Sequence, residues 1–115
     1  MKKKYMTVTA LPDLPLWDRS REKRIPLSFD LEVTARCNCA CRHCYINLPA
    51  SDETAEKKEM TVDEIARIAD QAVGMGSLWC LVTGGEPLLR ADFPNIYRLL
   101  KKKACWCRCS PMPAW

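Results

Sequence analysis

The stretch Leu27-Ser28-Phe29-Asp30-Leu31-Glu32-Val33-Thr34-Ala35 runs directly into Arg36-Cys37-Asn38-Cys39-Ala40-Cys41-Arg42-His43-Cys44. Its first half alternates: Leu27, Phe29, Leu31, Val33 and Ala35 fall on one side of an extended chain, and Ser28, Asp30, Glu32 and Thr34 on the other. A period of two marks a strand with one face in a core. The second half crowds Cys37, Cys39, Cys41 and Cys44 into the segment that leaves this strand.

Downstream, the polar run from Pro49 to Glu59 has no apolar period and reads as a loop. A helix is predicted over 61–73. Thr61 and Glu64 have capping-box spacing, and Ile65, Ile68, Ala69, Ala72 and Val73 form one stripe. Gly74 and Gly76 stop it, and Leu78-Trp79-Cys80-Leu81-Val82-Thr83 then reads as a strand buried on both faces, with Cys80 a small core residue. After Gly84-Gly85-Glu86-Pro87, Asp92 is placed to cap a second helix to about Lys103, with Ile96, Leu99 and Leu100 inward. Strand, helix, strand, helix is the order of an α/β fold with parallel pairing and a right-handed crossover. Upstream, residues 1–26 hold Pro12, Pro15 and Pro26 in a basic, aperiodic setting and read as an irregular lead-in.

Composition bounds the rest. With 115 residues, 48% hydrophobic and 28% charged, the chain has material for a single compact domain. The net charge of +4 is spread as a basic start, an acidic middle and a basic end, which does not make a nucleic-acid groove. No long apolar run suggests a membrane span, and the start does not resemble an export signal, so a cytoplasmic protein is expected. Eight cysteines would suit a disulfide framework in a secreted chain. Cys37, Cys39 and Cys41 are too close in sequence to pair easily with one another, which favours metal ligation.

In parallel α/β folds ligands gather at the carboxyl ends of the strands, and both unusual loops leave such ends. Cys37-x3-Cys41-x2-Cys44 offers three soft thiolates to one metal centre. On a four-iron cube, three ligands leave an iron open, whereas a structural zinc site normally closes with four. Gly84 and Gly85 let backbone approach a ligand closely.

Over roughly residues 27–103 these two motifs, in this order, resemble the radical S-adenosylmethionine (radical SAM) enzymes. The resemblance implies the N-terminal part of their core domain: the first two strand–helix units of a partial TIM-type (β/α) barrel, truncated here. It further implies that Cys37, Cys41 and Cys44 bind a 4Fe-4S cluster and that S-adenosylmethionine chelates the open iron. His43 would lie near the adenine, and Gly84, Gly85, Glu86 and Pro87 would border the methionine end of the cofactor. One electron from a flavodoxin or ferredoxin would cleave the sulfonium, and the 5′-deoxyadenosyl radical would abstract hydrogen from a peptide or small-molecule substrate. The cofactor supplies the chemistry and the protein positions and shields it. No residue beyond the cluster ligands is assigned to catalysis. Cys41-Arg42-His43-Cys44-Tyr45 and Gly84-Gly85-Glu86-Pro87-Leu88 are most similar to the branch that modifies peptides or matures cofactors. The partial barrel leads us to expect poor solubility and little turnover from the chain alone.

Two other readings compete. A zinc-binding interaction module would use the first and last cysteine groups but leaves Gly84–Pro87 unexplained. A thiol redox protein would use Cys41-Arg42-His43-Cys44 and make Cys37 a coincidence. In the leading reading Cys39 is a bystander. Residues 104–115 fit no element and read as an out-of-frame tail. Reading their codons one base earlier yields a glycine stop followed by an apolar run of the Leu and Val type, the strand a repeating barrel needs next, as a one-base deletion near the Lys101–Lys103 codons would explain.

Overall fold

A computed structural model describes residues 13–46, 48–103 and 106–109. The alternating stretch forms β1 (Ser28–Glu32), and the apolar run forms β4 (Trp79–Thr83). They pair in parallel with Ser28 opposite Trp79 and Glu32 opposite Thr83, so both strands end at one edge of the sheet. Between them lie two short paired strands, β2 (Arg36–Cys37) and β3 (Leu48–Pro49), then α2 (Glu53–Lys57) and α3 (Val62–Gly74). The helix α4 (Phe93–Lys102) leads to β5 (Trp106–Cys109), which joins β4 in parallel and gives the order β1-β4-β5.

Helix α3 starts where the capping signals place it. The Thr61 side chain accepts from the Glu64 amide, and the Glu64 carboxylate accepts from the Thr61 amide at 2.8 Å. Ile65 and Ala69 from α3, and Phe93, Ile96 and Leu100 from α4, pack on Leu31, Val33, Cys80 and Val82 of the sheet. This single core uses one face of β4. Cys80 and Val82 are buried while Trp79, Leu81 and Thr83 are half-buried, which corrects the expectation of a strand buried on both faces. Among the described residues, the ring contact on that second face is Trp17 stacked on Trp79, with centroids 6.1 Å apart and planes 11° from parallel.

Trp17 belongs to α1 (Pro15–Lys23), inside the stretch expected to be irregular. Pro15 starts the helix at a position that needs no backbone donor, and one aromatic anchors it, so no apolar period announces it. The stretch expected as a plain loop likewise contains α2, capped by the Asp52 side chain, which accepts from the Ala55 amide at 2.8 Å. Asp92 occupies the N-cap position of α4 without capping it, since its carboxylate pairs with Arg90 instead. Of the tail expected to fit no element, 106–109 form β5, and the remaining residues lie outside the described ones. The parallel α/β class is therefore as expected, with a third strand added. A closed barrel is not a feature of the described residues.

Candidate metal and cofactor site

The shared edge of β1 and β4 brings the two unusual loops together. Beyond Glu32 the pairing continues through loop backbone: Val33 donates to the Thr83 carbonyl at 3.0 Å, Gly85 to that of Thr34 at 2.7 Å, and Glu86 to that of Arg36 at 2.8 Å. This contact explains the two glycines. Gly84 has φ +148°, outside the range favoured by L side chains, and a Cβ there would collide with the Thr34 carbonyl. One on Gly85 would collide with the Arg36 carbonyl and reach Ala35 O at 3.0 Å. The close approach they permit is thus to residues 34–36, the segment that delivers Cys37, and not to a ligand alone.

A cavity of about 360 Å³ opens beside this contact, lined by Cys37, Cys39, Cys41, His43, Cys44, Tyr45, Ile46, Thr83, Gly84 and Gly85. The structure therefore brings together Cys37, Cys41, Cys44, His43, Gly84 and Gly85 of the residues expected from sequence. Glu86 and Pro87 are buried next to the cavity and do not line it. The Glu86 carboxylate turns back to accept from the Leu88 amide at 3.0 Å, capping the short 3-10 turn Pro87–Leu89.

Cys37 is buried at the base of the loop, while Cys39, Cys41, His43 and Cys44 are exposed. The Cys41–Cys44 segment is a turn, with the Cys44 amide donating to the Cys41 carbonyl at 3.1 Å. The Cys39 amide donates to Cys37 Sγ at 3.3 Å, and the Cys44 thiol donates to the Ile46 carbonyl at 2.8 Å. Loss of solvation, and then the nearby Cys37 thiol, push the Cys39 thiol up from its ordinary value. Sequence reasoning set Cys39 aside, yet it lines the same cavity; the crowding of cysteines in 37–44 was the available signal. Tyr45 was also missed. Its hydroxyl donates to Glu32 at 3.0 Å, tying the end of the loop to the polar face of β1, and this bond raises its pKa.

Among the described residues, no three His, Cys, Asp or Glu side chains are gathered in a way that would hold a metal ion. The thiols of Cys37, Cys41 and Cys44 are instead distributed around one cavity. Three soft sulfur donors and two glycines bordering one cavity are of the chemistry that suits an iron–sulfur cluster.

A parallel sheet with a cysteine loop and a glycine loop at one strand edge defines the class of protein. The chain belongs to the radical SAM superfamily, which it matches over residues 31–112. Members of this enzyme family use a 4Fe-4S cluster and S-adenosylmethionine. Curated relatives include a probable GTP 3′,8-cyclase of Methanococcus maripaludis, 34% identical over 76 residues, or 66% of this chain and 25% of the relative. GTP 3′,8-cyclase 1 of Mycobacterium tuberculosis is 33% identical over 108 residues, covering 85% of this chain and 28% of that protein. The GTP 3′,8-cyclase of Acidothermus cellulolyticus is 40% identical over 73 residues, 61% of this chain and 20% of the relative. The chain thus spans about a quarter of the length of the relatives it matches. No solved structure matches it. Among the described residues, no helix is long and apolar enough to cross a membrane.

Proposed function

We propose that this chain is the cluster-binding part of a radical SAM enzyme, with Cys37, Cys41 and Cys44 as ligands to three irons of a 4Fe-4S cluster. The observation that carries the reading is the single cavity lined by these three cysteines together with Gly84 and Gly85. When bound, the cluster and S-adenosylmethionine would supply the radical chemistry for hydrogen abstraction from a substrate. The chain's own residues hold and shelter these groups. Cys37 is the buried thiol of the site, Cys41 and Cys44 are exposed on a turn, and Gly84 and Gly85 line the same cavity. His43 and Tyr45 add aromatic surface at the rim suited to an adenine ring. Glu86 supports the wall from behind by capping the next turn.

The relatives are named GTP 3′,8-cyclases, which favours a nucleotide over a peptide as the substrate of the longer protein. The remainder of the longer architecture is assigned the substrate contacts, and a cytoplasmic flavodoxin or ferredoxin the delivery of electrons. Iron and acid-labile sulfide, measured after anaerobic reconstitution, test the assignment. Cys37→Ser, Cys41→Ser and Cys44→Ser are each expected to lose the cluster while Cys39→Ser keeps it. A colourless chain that takes up zinc in place of iron refutes the reading.

A further inference from the structure

Behind the cysteine loop, on residues that line no part of the cavity, three charged side chains meet. Glu59 Oε1 accepts from Arg36 Nε at 2.8 Å and from the Thr34 hydroxyl, and Oε2 accepts from Arg36 Nη2 at 3.3 Å. The same carboxylate lies 3.8 Å from Arg90 Nε. The side chains of Glu59, Arg36 and Arg90 are only 11%, 10% and 5% exposed. Their other donors are used as well. Arg36 Nη1 donates to the Ala50 carbonyl at 3.2 Å, and Arg90 Nη1 donates to the carbonyls of Val33 at 2.8 Å and Met60 at 2.9 Å. Asp92 accepts from Arg90 Nε and Nη2 at 2.9 and 2.8 Å, and the exposed Glu56 lies 3.5 Å from Arg36 Nη2.

Burying such a group is a poor way to gain stability, because desolvation cancels much of the Coulombic attraction and an apolar cluster of equal volume would serve as well. What charged, forked hydrogen bonds provide is fixed direction and separation. Here they bind three segments to one another: residues 33–36 that follow β1, the run 50–60, and the chain after Gly84-Gly85-Glu86-Pro87. Arg36 is the residue before Cys37, and its carbonyl receives the Glu86 amide. Every distance between the buried thiol and the glycine wall therefore passes through residues that Glu59 and Arg90 hold.

We propose that Glu59, acting through Arg36 and Arg90, is the positioning residue of the site, setting Cys37 at a fixed separation from the Gly84–Gly85 wall so that cluster and S-adenosylmethionine can be held together. This rests on the cluster-binding reading above. Its test compares Glu59→Gln, which keeps the shape and removes the charge, with Thr34→Val, which removes one hydrogen bond to Glu59, and with Ile96→Ala, a core change that removes none of the network's hydrogen bonds. Iron content, the paramagnetic resonance of the reduced cluster during titration with S-adenosylmethionine, and hydrogen exchange at the Gly85 and Glu86 amides are the readouts.

Glu59→Gln is expected to take up iron as the parent does, yet to need about tenfold more S-adenosylmethionine for the spectral change and to exchange both amides about tenfold faster. Thr34→Val follows in the same direction, and Ile96→Ala, although less stable, keeps the parent's response. Parent-like titration and exchange in Glu59→Gln overturn the proposal, as does an equal weakening in Ile96→Ala, which would make the effect one of stability. If Glu59→Gln does not fold, Thr34→Val decides by the same two readouts. If the parent binds no cluster, the underlying reading has failed, and amide exchange still decides whether Glu59 fixes the wall.

Discussion

Replacing Gly85 by alanine should separate the two loops of the site. A Cβ at this position collides with the Arg36 carbonyl oxygen, lies 2.6 Å from its carbon and 3.0 Å from Ala35 O, and both neighbours are backbone that cannot swing aside. To relieve the overlap the glycine loop must retreat from residues 34–36. That retreat breaks the 2.7 Å bond from Gly85 to Thr34 and the 2.8 Å bond from Glu86 to Arg36. Each bond is worth about 1 kcal/mol net, and overpacking adds about 1–3 kcal/mol. The sum, about 4 kcal/mol, is a large share of the ~5–15 kcal/mol by which a domain is ordinarily stable. Gly74→Ala is the matched control, since nothing lies within 4 Å of a Cβ there and the residue ends a helix. It should be neutral or gain up to ~1 kcal/mol. Chemical unfolding followed by far-ultraviolet circular dichroism measures both. A Gly85→Ala chain within ~1 kcal/mol of the parent refutes the close-contact argument, and so does a Gly74→Ala chain damaged as severely.

Two further outcomes follow from named contacts, and a third from the codons of 104–115. Thr61→Ala removes the reciprocal cap of α3 and should cost about 0.5–2 kcal/mol in the same unfolding assay, whereas an unchanged midpoint would mean that the cap is replaced by water without loss. Acid should destabilise the chain through Glu59 and Asp92. Burial pushes the Glu59 carboxyl up, but hydrogen bonds from Arg36 and Thr34 and the charges of Arg36 and Arg90 hold it below its ordinary value; the bond from Arg90 does the same for Asp92. With folded values below unfolded ones, their contribution is complete above the ordinary carboxylate range of about 4 and is lost as pH falls through the folded values. Unfolding free energies measured from neutral to acid pH should therefore fall, with a shallower slope in the Glu59→Gln, Asp92→Asn double variant; an equal slope contradicts the assignment. Finally, the shifted-frame reading of 104–115 predicts that resequencing the locus reveals one more base near the Lys101–Lys103 codons and an apolar strand in the slot beside β4 that 106–109 fill. A coding sequence identical to the present one rejects it.

What the sequence disclosed and what it concealed divide along a physical line. The strand β1 announces itself by alternation, α3 by a cap and a stripe within a few residues, and the two site loops by clustered cysteines and paired glycines, all of them local signals. Helix α1 packs through a distant contact, Trp17 on Trp79, and its sequence carries no apolar period to read. Asp92 looked like a cap because its position is right, but Arg90, two residues away, competes for its carboxylate with a buried guanidinium. Glu59 was hidden in a polar run, because its partners Thr34 and Arg36 lie more than twenty residues upstream and nothing local distinguishes it from its exposed neighbours Lys57 and Lys58. The glycine pair was recognised as a close-approach signal, while the surface approached, the backbone at 34–36, emerges only once β1 and β4 are in register.

The most direct test of the central claim is anaerobic reconstitution of the chain with iron and sulfide, followed by paramagnetic resonance of the reduced product with and without S-adenosylmethionine. A brown chain whose reduced signal changes on adding S-adenosylmethionine, a response that Cys37→Ser, Cys41→Ser and Cys44→Ser each abolish, is the predicted result, showing a cluster with an iron open to the cofactor. A chain that forms a cluster whose signal is indifferent to S-adenosylmethionine, or that binds no cluster, contradicts it.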